Sequence, residues 1–226
     1  MPAPTAAELL GAWERSATLG PVERDDELLR LVEPGLEPAD LPVGERDARL
    51  LELRELLFGR ELDGVADCPR CGEPVEYSLQ TSALLAGRPE ESTFELVVGG
   101  RSVRARLPTG GDLADAASTG DLDAARALLL ERCLLGKPDV TADQVAAALA
   151  EADRLADAQL SLACPECRHE WTLAFEAGAW LWSELEAWAW RTLLDVHTLA
   201  SAYGWSEAEI LALGPRRELY LELVGG

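Results

Sequence analysis

Apolar positions along this chain repeat with the helical period in some stretches and with a period of two in others. Across "GERDARLLELRELLFG", Leu50, Leu53 and Leu57 share one side, Leu51 and Leu56 widen it, and Gly59 is placed to end the helix. Three more helices announce themselves by a capping box, in which a hydroxyl accepts from the N3 amide and a Glu or Gln at N3 reaches back. These are Thr5 with Glu8, Thr141 with Gln144, and Ser206 with Glu209. Behind Thr5, the residues Leu9, Ala12, Trp13 and Ser16 fall on one face; behind Thr141, Val145, Leu149, Ala152 and Leu155 do. The longest periodic run, "AGAWLWSELEAWAWRTLLDVHTLASAYGW", places Trp182, Leu185, Ala189, Leu193, Val196, Ala200 and Tyr203 on one stripe, with Gly204 as the stop. Residues 20 to 43 hold Pro21, Pro34, Pro38 and Pro42, which predict an extended connector with one helical turn around "DELLRLV".

Alternation marks the strands. "STFELVVGGRSVRARL" predicts a hairpin turning at Gly99-Gly100, with Val98 opposite Arg101, Leu96 opposite Val103 and Glu95 opposite Arg104. Two further alternating stretches each follow the tetrapeptide Cys-Pro-x-Cys. Val75, Tyr77 and Leu79 come after "CPRC", and Trp171, Leu173 and Phe175 come after "CPEC", at matching offsets from the second cysteine. A helical stretch through "DLADAASTGDLDAARALLLERCLL" lies between the two copies. The predicted fold class is α+β: a zinc-ribbon-like module of four cysteines, a large inserted α+β subdomain, and flanking N- and C-terminal helices. The boundaries read as 1–66 for N-terminal helices and a Pro-rich connector, 67–79 with 160–176 for the discontinuous ribbon, 80–159 for the insertion, and 177–226 for a Trp-rich helical region.

Composition narrows the function classes. With 226 residues, 48% of them hydrophobic, the chain can bury one sizeable core or two small ones. Its net charge is −21, from 41 acidic and 20 basic residues, a field that repels phosphate backbones and argues against nucleic-acid binding. The cluster Arg101, Arg104 and Arg106 reads better as hairpin residues, with Glu95 as the cross-strand carboxylate partner of Arg104, than as an anion site. The opening "MPAPTAAELLGAWERS" has no basic stretch followed by an apolar run, and no segment approaches the ~20 apolar residues of a membrane helix. A cytoplasmic chain without a membrane partner is the expectation. In a reducing compartment, paired cysteines read as metal ligands rather than disulfides.

Cys68, Cys71, Cys164 and Cys167 form two Cys-x2-Cys knuckles, a spacing that turns both sulfurs of a pair toward one tetrahedral ion. Four thiolates complete the coordination sphere, so structural zinc is favoured over catalytic zinc; iron of the rubredoxin type stays open, since the same donors hold either metal. The fifth cysteine, Cys133, sits among leucines and reads as a buried small hydrophobe. His169 and His197 are the two histidines; the first is a weaker ligand candidate than the four sulfurs, and the second sits at the edge of an apolar stripe. No phosphate loop, nucleophile elbow, His-Glu-x-x-His or dinucleotide fingerprint is present, so no enzyme and no small-molecule substrate are expected.

Several segments carry a resemblance. "LPVGERDARLLELRELLFG", "RARLPTGGDLADAA" with "LLLERCLL", and "LLDVHTLASAYGWSEAEILALGPRRELYLELV" together resemble the baseplate hub assembly chaperone family of contractile-tailed phages and phage-tail-like injection particles. The resemblance runs from about Leu41 onward. It implies a helper that binds baseplate or hub structural proteins and performs no chemistry of its own. The cysteines do not define that family's pattern. Trp180, Trp182, Trp188 and Trp190, at spacings that no single helical stripe hides, are the candidate partner-binding residues. Two other readings stand beside this one: a zinc-ribbon adaptor of the transcription or replication machinery, and an iron-thiolate electron carrier.

Overall fold

The computed structural model describes residues 3–98, 101–136 and 141–225. The chain divides into two compact units, one made of Met1–Leu36 with Gly178–Gly226 and the other of Glu37–Ala177.

The first unit is helical. Helix α1 (Ala6–Ser16) opens with the expected Thr5–Glu8 capping box and buries Leu9, Leu10, Ala12 and Ser16. The Pro-rich stretch departs from expectation, because α2 runs for 12 residues over Pro21–Val32. Pro21 occupies its first turn, where the missing N–H costs nothing and the fixed φ suits a helix. Proline starts this helix instead of breaking it. The long helix α8 (Ala177–Tyr203) ends at Gly204 as expected, but its buried line is Leu181, Leu185, Ala189, Thr192 and Leu199. Leu185 and Ala189 keep their predicted places, while Leu181, Thr192 and Leu199 are buried instead of Trp182, Leu193 and Ala200, which leaves Trp182 half-buried with the Arg24 guanidinium 4.5 Å over its ring. Helix α9 (Glu207–Leu211) starts at the Ser206–Glu209 capping box, and α10 (Arg216–Gly225) follows. Tyr203, Trp205 and Tyr220 form an aromatic cluster with centroids 4.6 to 5.9 Å apart, and Arg217 pairs with Asp195 at 3.3 Å.

The second unit mixes helices with three two-stranded antiparallel sheets among the described residues. A 3-10 turn at Pro38–Asp40 leads into α3 (Val43–Phe58), which buries Ala48, Leu50, Leu51 and Leu53 while Leu56 stays exposed. Strands β1 (Glu61–Asp67) and β2 (Pro74–Gln80) form one hairpin, and α4 (Thr81–Leu85) follows directly. Strands β3 (Thr93–Val98) and β4 (Arg101–Arg106) pair in the predicted register, with Leu96 opposite Val103 and Glu95 opposite Arg104; the Gly99-Gly100 turn lies outside the described residues. Glu95 accepts a hydrogen bond from the Ser102 hydroxyl at 2.8 Å. Helices α5 (Gly110–Ser118), α6 (Leu122–Cys133) and α7 (Ala142–Ala152) precede a third hairpin, β5 (Gln159–Ala163) with β6 (Glu170–Ala174). The Thr141–Gln144 box caps α7, and Val145 is its buried anchor. Cys133 is fully buried, and burial raises its thiol pKa although the Arg106 charge acts the other way.

Arg106 does not face an anion site. Its guanidinium grips Asp112 through both nitrogens, at 2.5 and 3.0 Å, and Arg132 adds a third contact at 3.2 Å. Asp112 is also the N3 residue of a fourth capping box, with Thr109 as N-cap of α5. The Arg106 hydrogen bonds, followed by the Thr109 amide and Arg132, outweigh burial and hold the Asp112 carboxyl far below the usual carboxylate range. A carboxyl depressed on folding contributes stability above its unfolded pKa of about 4 and loses it as pH falls toward the folded value. Asp112→Asn is therefore expected to lower stability at neutral pH and to flatten its decline below about pH 4. Denaturant melts across that range would reveal an unchanged slope if the pairing were inert.

Candidate metal centre

Each Cys-Pro-x-Cys stands at the tip of a hairpin, between β1 and β2 in one case and between β5 and β6 in the other. The two tips are built alike, bond for bond. In the first, the Gly72 amide donates to the Cys68 carbonyl at 2.8 Å and the Cys68 amide to the Glu73 carbonyl at 2.8 Å. In the second, Arg168 donates to Cys164 at 3.0 Å and Cys164 to His169 at 2.9 Å. The residue after the second cysteine must adopt a left-handed backbone to turn the chain into the outgoing strand. Gly72 does so at φ 77°, whereas Arg168 does so at φ 57° and carries the strain of a side chain there.

The expected ribbon begins at residue 67, but the incoming strand starts at Glu61 and pairs residue by residue with β2, from Glu61 opposite Gln80 to Asp67 opposite Pro74. Pairing is within each hairpin, so β2 and β6 do not share a sheet. Alternation then sorts the side chains. Leu62, Val75, Tyr77 and Leu79 lie on the covered face of the first hairpin, and Glu61, Asp63, Asp67 and Glu76 on the wet one. In the second, Leu160 faces Leu173 and Leu162 faces Trp171 across the strands.

The four sulfurs meet although they come from turns far apart in sequence. All lie within 4.8 Å of one another; Cys68 Sγ is 3.7 Å from Cys167 Sγ, and Cys71 Sγ is 3.6 Å from Cys164 Sγ. These spacings suit the edges of a tetrahedron whose arms are ~2.3 Å, the zinc–sulfur distance. Cys68 and Cys164 are buried, Cys167 is half-buried and Cys71 is exposed. Val75 and Trp171 pack beside them. His169 is outside the cluster, its ring parallel to that of Trp171 at 6.2 Å.

Burial opposes ionisation of Cys68, but the Arg70 and Cys71 amides and the neighbouring thiols prevail and bring it down to about 7. Cys71 receives an amide hydrogen bond through Glu73 that favours its thiolate, yet burial and the adjoining thiols push it up to about 12. Cys68 thus ionises readily and Cys71 resists. A divalent cation removes that resistance by neutralising the charge that makes the thiolates repel. The arrangement can hold a metal ion such as zinc.

The four candidate tryptophans are dispersed around α8. Trp190 is 62% exposed, while Trp180, Trp182 and Trp188 are half-buried. Trp13 meets Trp190 edge-on with centroids 5.8 Å apart. His197, expected at the edge of the apolar stripe, is exposed. Among the described residues, no helix is long and apolar enough to cross a membrane.

No family model, no curated protein and no solved structure matches this chain.

Proposed function

We propose that this protein is a non-enzymatic binding protein of the cytoplasm, an assembly chaperone or baseplate-associated factor of a contractile phage-tail-like particle. Its four cysteines hold one structural zinc in a zinc-ribbon-like module. The observation that carries binding over catalysis is the nature of its cluster of convergent reactive groups. Four thiolates fill a tetrahedral ion and leave no position for a substrate or an activated water. An exposed tryptophan on a long helix then supplies what a binding protein needs, an aromatic anchor presented to a partner. The resemblance of the Leu-rich helix and the C-terminal "ASAYGWSEAEILALGPRRELYLELV" to baseplate hub assembly chaperones points to the kind of partner.

The tagged full-length protein, expressed with the sheath, tube and baseplate subunits of the same particle, is expected to co-purify with a baseplate or hub subunit. Trp190→Ala should abolish that capture and leave the thermal midpoint nearly unchanged, because the indole is mostly outside the core. Capture of no particle subunit, or loss of binding only in variants that unfold, would overturn this reading.

A further inference from the structure

We infer that the outward line of α8 running through Glu186, Trp190, Leu194, His197 and Ser201 docks a basic amphipathic helix of the partner. The inference rests on the binding function proposed above and specifies the chemistry of what is bound.

At 100° per residue these five positions fall within an arc of about 80°, and Trp190 to Ser201 covers about 16 Å of helix. All five are exposed. Trp190 and Leu194, one turn apart, leave 62% and 64% of their surfaces uncovered, where a soluble helix ordinarily places polar side chains. Trp13 supports the indole from one side, so the ring is held in place before any partner arrives and little freedom remains to be lost on docking. A partner helix meets such a line with apolar side chains at i and i+4, the spacing that fills the gap between two anchors on facing helices.

Charge selects the character of that helix. The unit formed by Met1–Leu36 and Gly178–Gly226 holds 14 acidic residues against 6 arginines. Four of the six arginines are committed within the unit: Arg15 to Glu27 at 2.9 Å, Arg24 to the Ser16 carbonyl and the Trp182 face, Arg30 to Asp26 at 4.0 Å, and Arg217 to Asp195 at 3.3 Å. Each ion pair cancels one acid with its arginine, and the excess of 14 acids over 6 arginines leaves the outward field acidic. On the line itself the charged residue is Glu186, one turn before Trp190, while Arg191 points about 100° away. A Lys or Arg one turn from the partner's apolar anchors meets Glu186; an acidic helix meets like charge.

The test uses the full-length chain and two synthetic 18-residue helical peptides, both with leucine on one face, one with lysine and the other with glutamate on the flanks. Fluorescence anisotropy at low and at physiological salt is expected to show binding of the lysine peptide alone. Leu194→Arg, which leaves the Trp13–Trp190 contact intact, should weaken it by at least about tenfold, as should Trp190→Ser. Glu186→Gln should make the salt dependence shallower. Equal binding by Leu194→Arg and the unaltered protein would show bulk acidic attraction and overturn the inference. So would equal binding of the glutamate peptide, or a concentration-dependent dimer that Leu194→Arg dissolves, which would mean that the line closes on a second copy of this chain. Peptide binding without capture of any particle subunit would sink the proposed function alone; capture that survives Leu194→Arg would sink this inference alone.

Discussion

Cys68→Ser combined with Cys164→Ser is expected to reduce bound zinc from about one ion per chain to none and to release the two hairpin tips from one another. The size of the effect follows from what else holds those tips. A two-stranded hairpin is marginal by itself, and the apolar cluster at the tips amounts to the two buried cysteines and Val75, with Cys167 and Trp171 beside them. Zinc binding contributes about 10–16 kcal/mol in small zinc-finger peptides, where it drives folding outright. A metal held by these sulfurs would join positions 93 apart in sequence, Cys71 and Cys164, and offset the entropic cost of closing that loop. Hydrogen exchange should therefore quicken between Val75 and Leu162 far more than along α8 when a chelator removes the metal. Protection lost evenly over the whole chain would make the metal centre the nucleus of both units. Metal content unchanged in the double variant would exclude the cysteines as ligands. Colour distinguishes the metals, since an iron–thiolate centre absorbs visible light and zinc does not.

What could be read in the sequence was what is encoded locally. Three capping boxes, at Thr5, Thr141 and Ser206, form with both of their hydrogen bonds because donor and acceptor lie three residues apart. The register of β3 with β4 followed from alternation and a Gly-Gly pair, and the meeting of four sulfurs from two knuckles with the same outgoing pattern. The incoming strands were harder to see. "ELDGVAD" has one large apolar residue on its covered face, Leu62, with Gly64 and Ala66 completing it, so its alternation is faint. Pro21 misled because proline breaks a helix only from the second turn onward. Trp182 misled because an indole that belongs to the helical period can sit under a guanidinium at the boundary as well as in the core. Asp112 was overlooked because a capping Asp looks like any other acid until Arg106 and Arg132 arrive from elsewhere in the fold.

The same limit hid two helix starts that each receive a carboxylate from a distant residue, and these give the second large effect. Pro42, the N-cap of α3, offers no side-chain cap. At α3, Asp153 reaches in from beyond α7, is 3% exposed, and accepts the Gly44 amide at 2.9 Å and the Ala156 amide at 3.2 Å. At α8, the buried Asp25 of α2 lies so close to Gly178 that a Cβ there would fall 2.2 Å from its oxygen. At Gly44 the corresponding distance to Asp153 is 1.8 Å. At both starts, glycine at the second helical position is what leaves room for the carboxylate. Burial raises the pKa of Asp153 while the two amides oppose the rise, so displacing it strands a costly group. Gly44→Ala is expected to destabilise by about 3 kcal/mol, the scale of a buried charge deprived of its partner. Gly178→Ala should cost a similar amount. Gly11→Ala, inside α1 with only the end of the Arg15 side chain 3.4 Å away, should instead stabilise by about 0.5–1 kcal/mol. Asp153→Ala removes both the stranded carboxylate and the clash, so adding Gly44→Ala to it should cost almost nothing more. Strict additivity of the two in urea melts would show that Gly44 and Asp153 act independently.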